Sequence, residues 1–256
     1  MIKKVLILGY GSIGVKHKKN LKKIDSHLSF FLYDGKKIIT QNQLSEINPD
    51  YVIISTPTSM HYKHLKMIDS LLKNKIILVE KPLFEKTKIF KKNKKNNNKI
   101  FVGYNLRFHP VIEYLKKNIL KYEFFHIRSE CYSYLPNWRK KDYTKIYSSK
   151  KNLGGGVALD LSHEIDFLNW IFGKINIIFK KKFKISKLKI NTDDTFLLIG
   201  KVKKMLVNIG LNFSSHQNSR KIFLDGPNQS LICDLNKNHI KFFNNKNKMI
   251  KIKNFQ

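Results

Sequence analysis

The chain has 256 residues, 42% of them hydrophobic, and a formal net charge of +32. That apolar content supports a buried core and excludes a disordered chain, and the length suits one large α/β domain or two smaller ones. No run is long enough to span a bilayer, and the apolar start of MIKKVLILGYGSIG is too short for a secretory leader, so the expectation is a soluble, cytoplasmic protein with no membrane partner.

The first hundred residues alternate apolar runs with amphipathic segments, the pattern of a parallel sheet wrapped by helices. KVLILGY reads as a buried strand, Ile13 to Ile24 as a helix, LSFFLYD and YVIIST as strands, and Ser59 to Leu72 as a helix. KIILVEKP is a fourth strand, the lysine-rich stretch after it reads as a helix, and KIFVGYN closes the series, so every unit is βα. Beyond Tyr104 the rhythm changes: a helix around Val111 to Leu120, the long strand YEFFHIRSECYSYL, an irregular polar stretch and a helix over Leu153 to Gly173. From Ile175 the strands INIIFKKKFKI, TFLLIGKV, MLVNIGLNF, RKIFLDG, QSLICDL and HIKFF follow. The expected organisation is two domains, 1–104 and 105–256, joined near Gly103 to His109. The second is an α+β domain with a mostly antiparallel, open sheet.

The positive excess is diffuse, as a chain rich in lysine, asparagine and isoleucine would have it. Its densest run, Glu85 to Lys99, lacks the interleaved aromatics of a single-strand-binding platform. No specific nucleic-acid partner is expected, although the charge suits phosphorylated small molecules. Cys131 and Cys233 belong to no C-x-x-C or Cys/His cluster, which argues against a disulfide framework or a metal site and fits a reducing compartment.

GYGSIG places Gly9, Gly11 and Gly14 directly after the first strand and at the start of a helix. Gly9 permits the tight turn, Gly11 lets backbone approach a pyrophosphate, and Gly14 lets helix pack on strand. Ser12 and Ile13 belong to the same phosphate-binding turn, whose helix amino terminus offers unpaired N–H groups. Asp34, at the end of the second strand, suits the ribose hydroxyls of NAD and would repel a 2′-phosphate. Lys36 and Lys37 would attract one, so NADP stays as the alternative. The first domain is therefore an α/β Rossmann dinucleotide-binding domain.

GYGSIG, ISTPTSMHYKH, VEKPLFEK, VGYNLRFHP and GGGVALDLSHEID, in that order, resemble the glucose-fructose oxidoreductase, inositol dehydrogenase and MocA (Gfo/Idh/MocA) family, from Met1 to about Gly173. The resemblance implies an NAD(P)-dependent oxidoreductase acting on CH–OH groups of a sugar or sugar derivative. It assigns Lys81 to the developing alkoxide near the nicotinamide, Thr56, Pro57 and His61 to the cofactor loop, and Glu80 to a place beside it. Such chemistry also needs a group that exchanges the hydroxyl proton. On one helix Asp160 and His163 share a face as i and i+3, which makes His163 the acid/base and Asp160 the residue that orients substrate or imidazole. Arg107 is expected at the domain joint facing the cleft, with Trp138 for a sugar face and Arg139 for an acid or phosphate.

Two departures from the family stand out. Many members space the helix Asp and His four residues apart, whereas here the spacing is three, and relatives usually continue past the last strands into a further helix, whereas this sequence stops at KIKNFQ. The family also implies a homodimer or homotetramer formed through the open sheet. LPNWR and LGGG are similar to stretches of relatives in bacterial surface-sugar biosynthesis. The rival readings are a catalytically silent dinucleotide-binding regulator and a reductase of a non-sugar carbonyl or imine.

Overall fold

A computed structural model describes residues 2–34 and 39–255. It divides into two units, one of Met1–Gly103 with Asn152–Gly154 and the other of Tyr104–Lys151 with Gly155–Gln256. In the first, strands β1 (Lys4–Leu8), β2 (Ser29–Tyr33), β3 (Tyr51–Ile54), β4 (Ile76–Val79) and β5 (Lys99–Val102) pair in parallel in the order β2-β1-β3-β4-β5. Leu6, Leu8, Val52 and Ile54 pack into one cluster, and Val5, Ile7 and Ile53 into another. Alternate residues thus feed both faces of the sheet, which is why the strands read as unbroken apolar runs. Winding reverses between β1 and β3, the place where open parallel sheets take ligands.

Helices α1 (Ser12–Ile24) and α3 (Thr58–Leu71) lie within a residue of the spans expected. Between them α2 (Gln41–Ile47) is too short to show a stripe, and its signal is a capping box. The Gln43 N–H donates to Thr40 Oγ1 at 3.2 Å while the Thr40 N–H donates to Gln43 Oε1 at 3.0 Å.

The lysine-rich segment after β4 is not the helix that its composition suggested; it holds only a 3-10 turn at Lys94–Asn96. The asparagines decide this. Asn96 Nδ2 donates to the Asp69 carbonyl at 2.7 Å, and Asn98 Nδ2 donates to the Leu72 carbonyl at 2.9 Å, satisfying carbonyls at the end of α3 that lack partners within the helix. Buried Asp69 accepts from the Asn93 N–H at 2.7 Å and from Asn98 Nδ2 at 2.9 Å. A helix through Asn93 to Asn98 would break these bonds, which outweigh the helical preference of exposed lysines.

The second unit is an eight-stranded sheet: β6 (His126–Tyr134), β7 (Asn176–Phe183), β8 (Thr195–Val202), β9 (Met205–Asn212), β10 (Ser214–Asp225), β11 (Gln229–Asp234), β12 (His239–Asn244) and β13 (Met249–Asn254). The order is β13-β12-β11-β10-β6-β9-β8-β7, antiparallel throughout except for the parallel pair β6–β9. β13 was not anticipated. Helices α4 (Pro110–Asn118), α5 (Val157–Asp160) and α6 (His163–Phe172) contribute to the core of this unit, with Ile112, Leu115, Phe167 and Leu168 in one cluster with Ile127, Ile209, Leu211 and Ile222 of the sheet. Strict alternation along β8 buries Phe196 and Leu198 and exposes Leu197 and Ile199, so one sheet face is bare there.

Replacing Asp69 by alanine leaves the Asn93 and Asn98 donors stranded, and is expected to lower the unfolding free energy by about 2–3 kcal/mol in urea denaturation. An unchanged midpoint would show that these bonds do not hold the segment.

Candidate active site, in two halves

The nucleotide half is built on the turn after β1. Gly9 has φ +94, and a Cβ there would stand 2.4 Å from the Ser55 carbonyl carbon and the Thr56 nitrogen. Gly14 is equally constrained, since its Cβ would lie 2.3 Å from the Gly9 carbonyl oxygen. Gly11 differs: among the described residues no atom lies within 4 Å of the place its Cβ would take. The fold needs the first and third glycines for its own packing, whereas the second keeps open a space that none of the described residues fills. Gly11 is also the N-cap of α1, which has no side-chain cap and no acid in its first turn, and Ser12 and Ile13 are exposed there. Unpaired N–H groups beside an open approach fit a pyrophosphate. The Gly9 and Tyr10 N–H groups donate to the Tyr33 carbonyl at 2.7 and 3.0 Å, which ties the exposed Asp34 to the same turn. Lys36 and Lys37 lie outside the described residues.

The loops after β3 and β4 are joined by His61. This imidazole is buried, with Nε2 2.9 Å from the Thr56 carbonyl and Nδ1 3.0 Å from the Pro82 carbonyl. It ties these two loops together, and Thr56 is held as well, with its Oγ1 3.2 Å from His64 Nδ1. Pro57 caps α3. Glu80 is a strut: its carboxylate lies 2.7 Å from His17 Nε2 of α1, accepts from the Lys81 N–H at 3.3 Å, and would be crowded at 3.1 Å by a Cβ on Gly103. Half-buried Lys81 leaves the end of β4 just before a cis peptide to Pro82. Gly154, φ +79, completes this unit, for its Cβ would press on Thr58 at 2.9 Å.

The second half differs from the single helix expected. α5 ends at Asp160, Leu161 and Ser162 form a turn, and α6 begins at His163. The two residues therefore close one helix and open the next, instead of stacking on a continuous face. Asp193 sets the start of α5: its Oδ2 accepts from the Ala158 N–H at 3.0 Å, and its carboxylate fills the space beside Gly156, φ +122, where a Cβ would be 2.5 Å from Oδ1. Asp160 and His163 are both buried. The phenol of Tyr147 donates to Asp160 Oδ1, and the ring of Tyr104 meets the His163 imidazole edge-on at 5.6 Å. Burial raises the Tyr104 pKa, against a hydrogen bond with Ser162.

Directly after His163, the buried Glu164 carboxylate lies 2.8 Å from Arg220 Nε of β10, which also donates to Cys131 Sγ at 3.3 Å. Burial pushes the Glu164 carboxyl above its ordinary range, against the Arg220 charge, and pushes the Cys131 thiol up to about 12. Arg107 is held bidentately by Asp166 of α6, at 2.8 and 2.6 Å. Trp138 is likewise engaged inward: its indole N–H donates to Ser133 Oγ at 3.0 Å and its ring packs edge-on against Phe213. Arg139 is exposed. Sequence reasoning missed Tyr147, Glu164, Asp193 and Arg220; of these only Glu164, a carboxylate inside an apolar run, carried a visible signal.

Residues 16–104 match the model of an oxidoreductase family, GFO_IDH_MocA, described by its NAD-binding Rossmann fold. This segment is similar to the Gfo/Idh/MocA family. The Gfo/Idh/MocA match begins after the glycine turn, so the turn is supported by its own geometry. Solved structures with similar folds include the WlbA dehydrogenase from Bordetella pertussis in complex with NADH and UDP-GlcNAcA, with TM-score 0.77 and 14% identity over 91% of this chain and 78% of that one. The UDP-N-acetylglucosamine 3-dehydrogenase GnnA from Acidithiobacillus ferrooxidans gives 0.73 and 14% over 100% and 85%. Levoglucosan dehydrogenase with NADH and levoglucosan gives 0.78 and 14% over 100% and 80%. A comparison with curated proteins finds no match. Among the described residues no group of three His, Cys, Asp or Glu side chains is placed to hold a metal, and no helix is long and apolar enough to cross a membrane.

Gly11→Val is expected to leave stability unchanged and to weaken NADH binding more than about tenfold in a fluorescence titration, whereas Gly9→Ala costs on the order of 3 kcal/mol of stability. His64 supplies a pH test. Burial, then the charges of His61 and Lys63, lower its pKa from 6.5 to about 4. Between those values the unfolded chain binds the extra proton, so stability is complete above 6.5 and declines as the pH falls toward about 4. His61, also lowered by burial, acts in the same sense. Thermal unfolding followed from about pH 7 to 4 should show a shallower decline in His64→Gln.

Proposed function

We propose that the protein is an NAD-dependent oxidoreductase that moves a hydride between the nicotinamide and a CH–OH or keto carbon of a sugar or sugar derivative. The observation that carries this reading is the space at Gly11, unfilled among the described residues, beside the uncapped amino terminus of α1, in a unit where Lys81 leaves the carboxyl end of β4. The cofactor, when bound, supplies the hydride acceptor or donor. The Lys81 ammonium steadies negative charge on the substrate oxygen, and His163 takes the hydroxyl proton in oxidation and returns it in reduction. Asp160 orients substrate and imidazole. The second unit, expected at 105–256, is the substrate-binding domain.

The ligands of the similar structures, a UDP-linked acetamido sugar acid and an anhydro sugar, favour a sugar substrate. The net charge of +32 favours an anionic one, and exposed Arg139 is suited to its acid or phosphate. A place in surface-polysaccharide sugar biosynthesis agrees with such a substrate. Two free, buried cysteines accord with the cytoplasm, and the bare sheet face suits a homodimer or homotetramer.

The test is a titration with NADH and NADPH, followed by turnover on nucleotide sugars, sugar acids and free sugars. Lys81→Ala and His163→Ala are each expected to lower kcat by about 10²–10⁴, with NADH affinity unchanged. Failure to bind either coenzyme, or full activity in both variants, would overturn the reading.

A further inference from the structure

Tyr147 lies in the irregular segment between β6 and α5, and nothing in the sequence pattern marks it. Its main chain is seated by a missing side chain: a Cβ on Gly155 would stand 2.2 Å from the Tyr147 carbonyl oxygen and 2.6 Å from that of Ser148. The other side of the loop is tied to residues before β8, with Thr192 Oγ1 donating to the Ser148 carbonyl at 3.1 Å and the Asn191 N–H to the Ser149 carbonyl at 3.2 Å. So anchored, the phenol reaches Asp160 Oδ1 at the last residue of α5. Burial, then the Asp160 charge, hold the phenol pKa well above its ordinary value, so its proton stays in place and the group serves as a donor, not a base.

Asp160 closes α5 and is separated from His163 only by the turn Leu161–Ser162. The phenol supports the Asp160 carboxylate from outside both helices. We propose that Tyr147 is a positioning residue: its phenol, held by the Gly155 contact, fixes the Asp160 carboxylate and thereby the alignment of the substrate hydroxyl with His163. The inference rests on the oxidoreductase reading and adds to it a residue that acts through Asp160.

The experiment compares wild type, Tyr147→Phe, Asp160→Asn and the double variant in NADH binding and in turnover of the best substrate found. Tyr147→Phe is expected to lower kcat about tenfold, the scale of one lost hydrogen bond to a charged group. NADH affinity and KM should stay near wild type. Added to Asp160→Asn, it should lower kcat no further, because the pair works as a unit. A merely structural tyrosine would move coenzyme binding and KM as well, and its loss would add in full to that of Asp160→Asn; that pattern, or wild-type kcat in Tyr147→Phe, overturns the proposal. Should Tyr147→Phe fail to fold, 3-fluorotyrosine at position 147 keeps the ring and hydroxyl with a more acidic phenol. A change in kcat of about twofold or more at constant KM supports the role, and none overturns it. Wild-type protein that turns over no substrate of the panel fails before any variant is made; that outcome overturns the oxidoreductase reading and this inference together.

Discussion

The nucleotide unit depends on one steric condition: the chain at Gly9 must pass against the backbone of Ser55 and Thr56. A Cβ 2.4 Å from those atoms is not tolerated, so only glycine lets the end of β1 approach the loop after β3. The contact is then locked by Ser55 Oγ, which donates to the Gly9 carbonyl at 2.8 Å. From that loop the buried His61 reaches the Pro82 carbonyl, and from the other side His17 of α1 grips Glu80. Lys81 stands between these two anchored residues. The position of a flexible lysine is thus inherited from main-chain contacts that begin at a glycine.

In the second unit the equivalent part is played by charge. Glu164 and Arg220 form a buried pair that joins the first turn of α6 to β10, directly behind His163. Such a pair gains little net stability over apolar residues of the same volume, since both ions lose their hydration, but breaking it from one side leaves a bare charge in the core. Arg107 and Asp166 repeat the arrangement nearer the surface, two residues further along and still in the first turn of the helix. Two arginines from distant parts of the chain therefore set the angle of α6, which a purely apolar stripe would leave free to rotate.

Legibility of the fold followed the length of the physical signal. The parallel strands were visible because both faces are buried, and the later strands because β8 alternates without error. The lysine-rich segment was not, because Asn96 and Asn98 act on carbonyls some 25 residues earlier, a partnership that no local window contains. The start of α5 was hidden for a related reason, since the Ala158 N–H is held by Asp193, far along the chain. Trp138 and Arg107 read from sequence as recognition residues, and each also holds a partner within the chain, Ser133 and Asp166. Residue type announces what a side chain can bind, and only the packing shows what it has already bound.

β7 stands at the end of the sheet order, with all but its last residue exposed. Such a strand offers a free row of main-chain donors and acceptors, and Ile177, Ile178 and Phe179 make it attractive to a strand from another molecule. Its second half is the run Lys180, Lys181 and Lys182. Addition of a like strand would bring these ammonium groups opposite one another at sheet spacing, where they repel. The lysine excess, which as composition alone suggests a polyanion partner, at this edge disfavours pairing with a like strand.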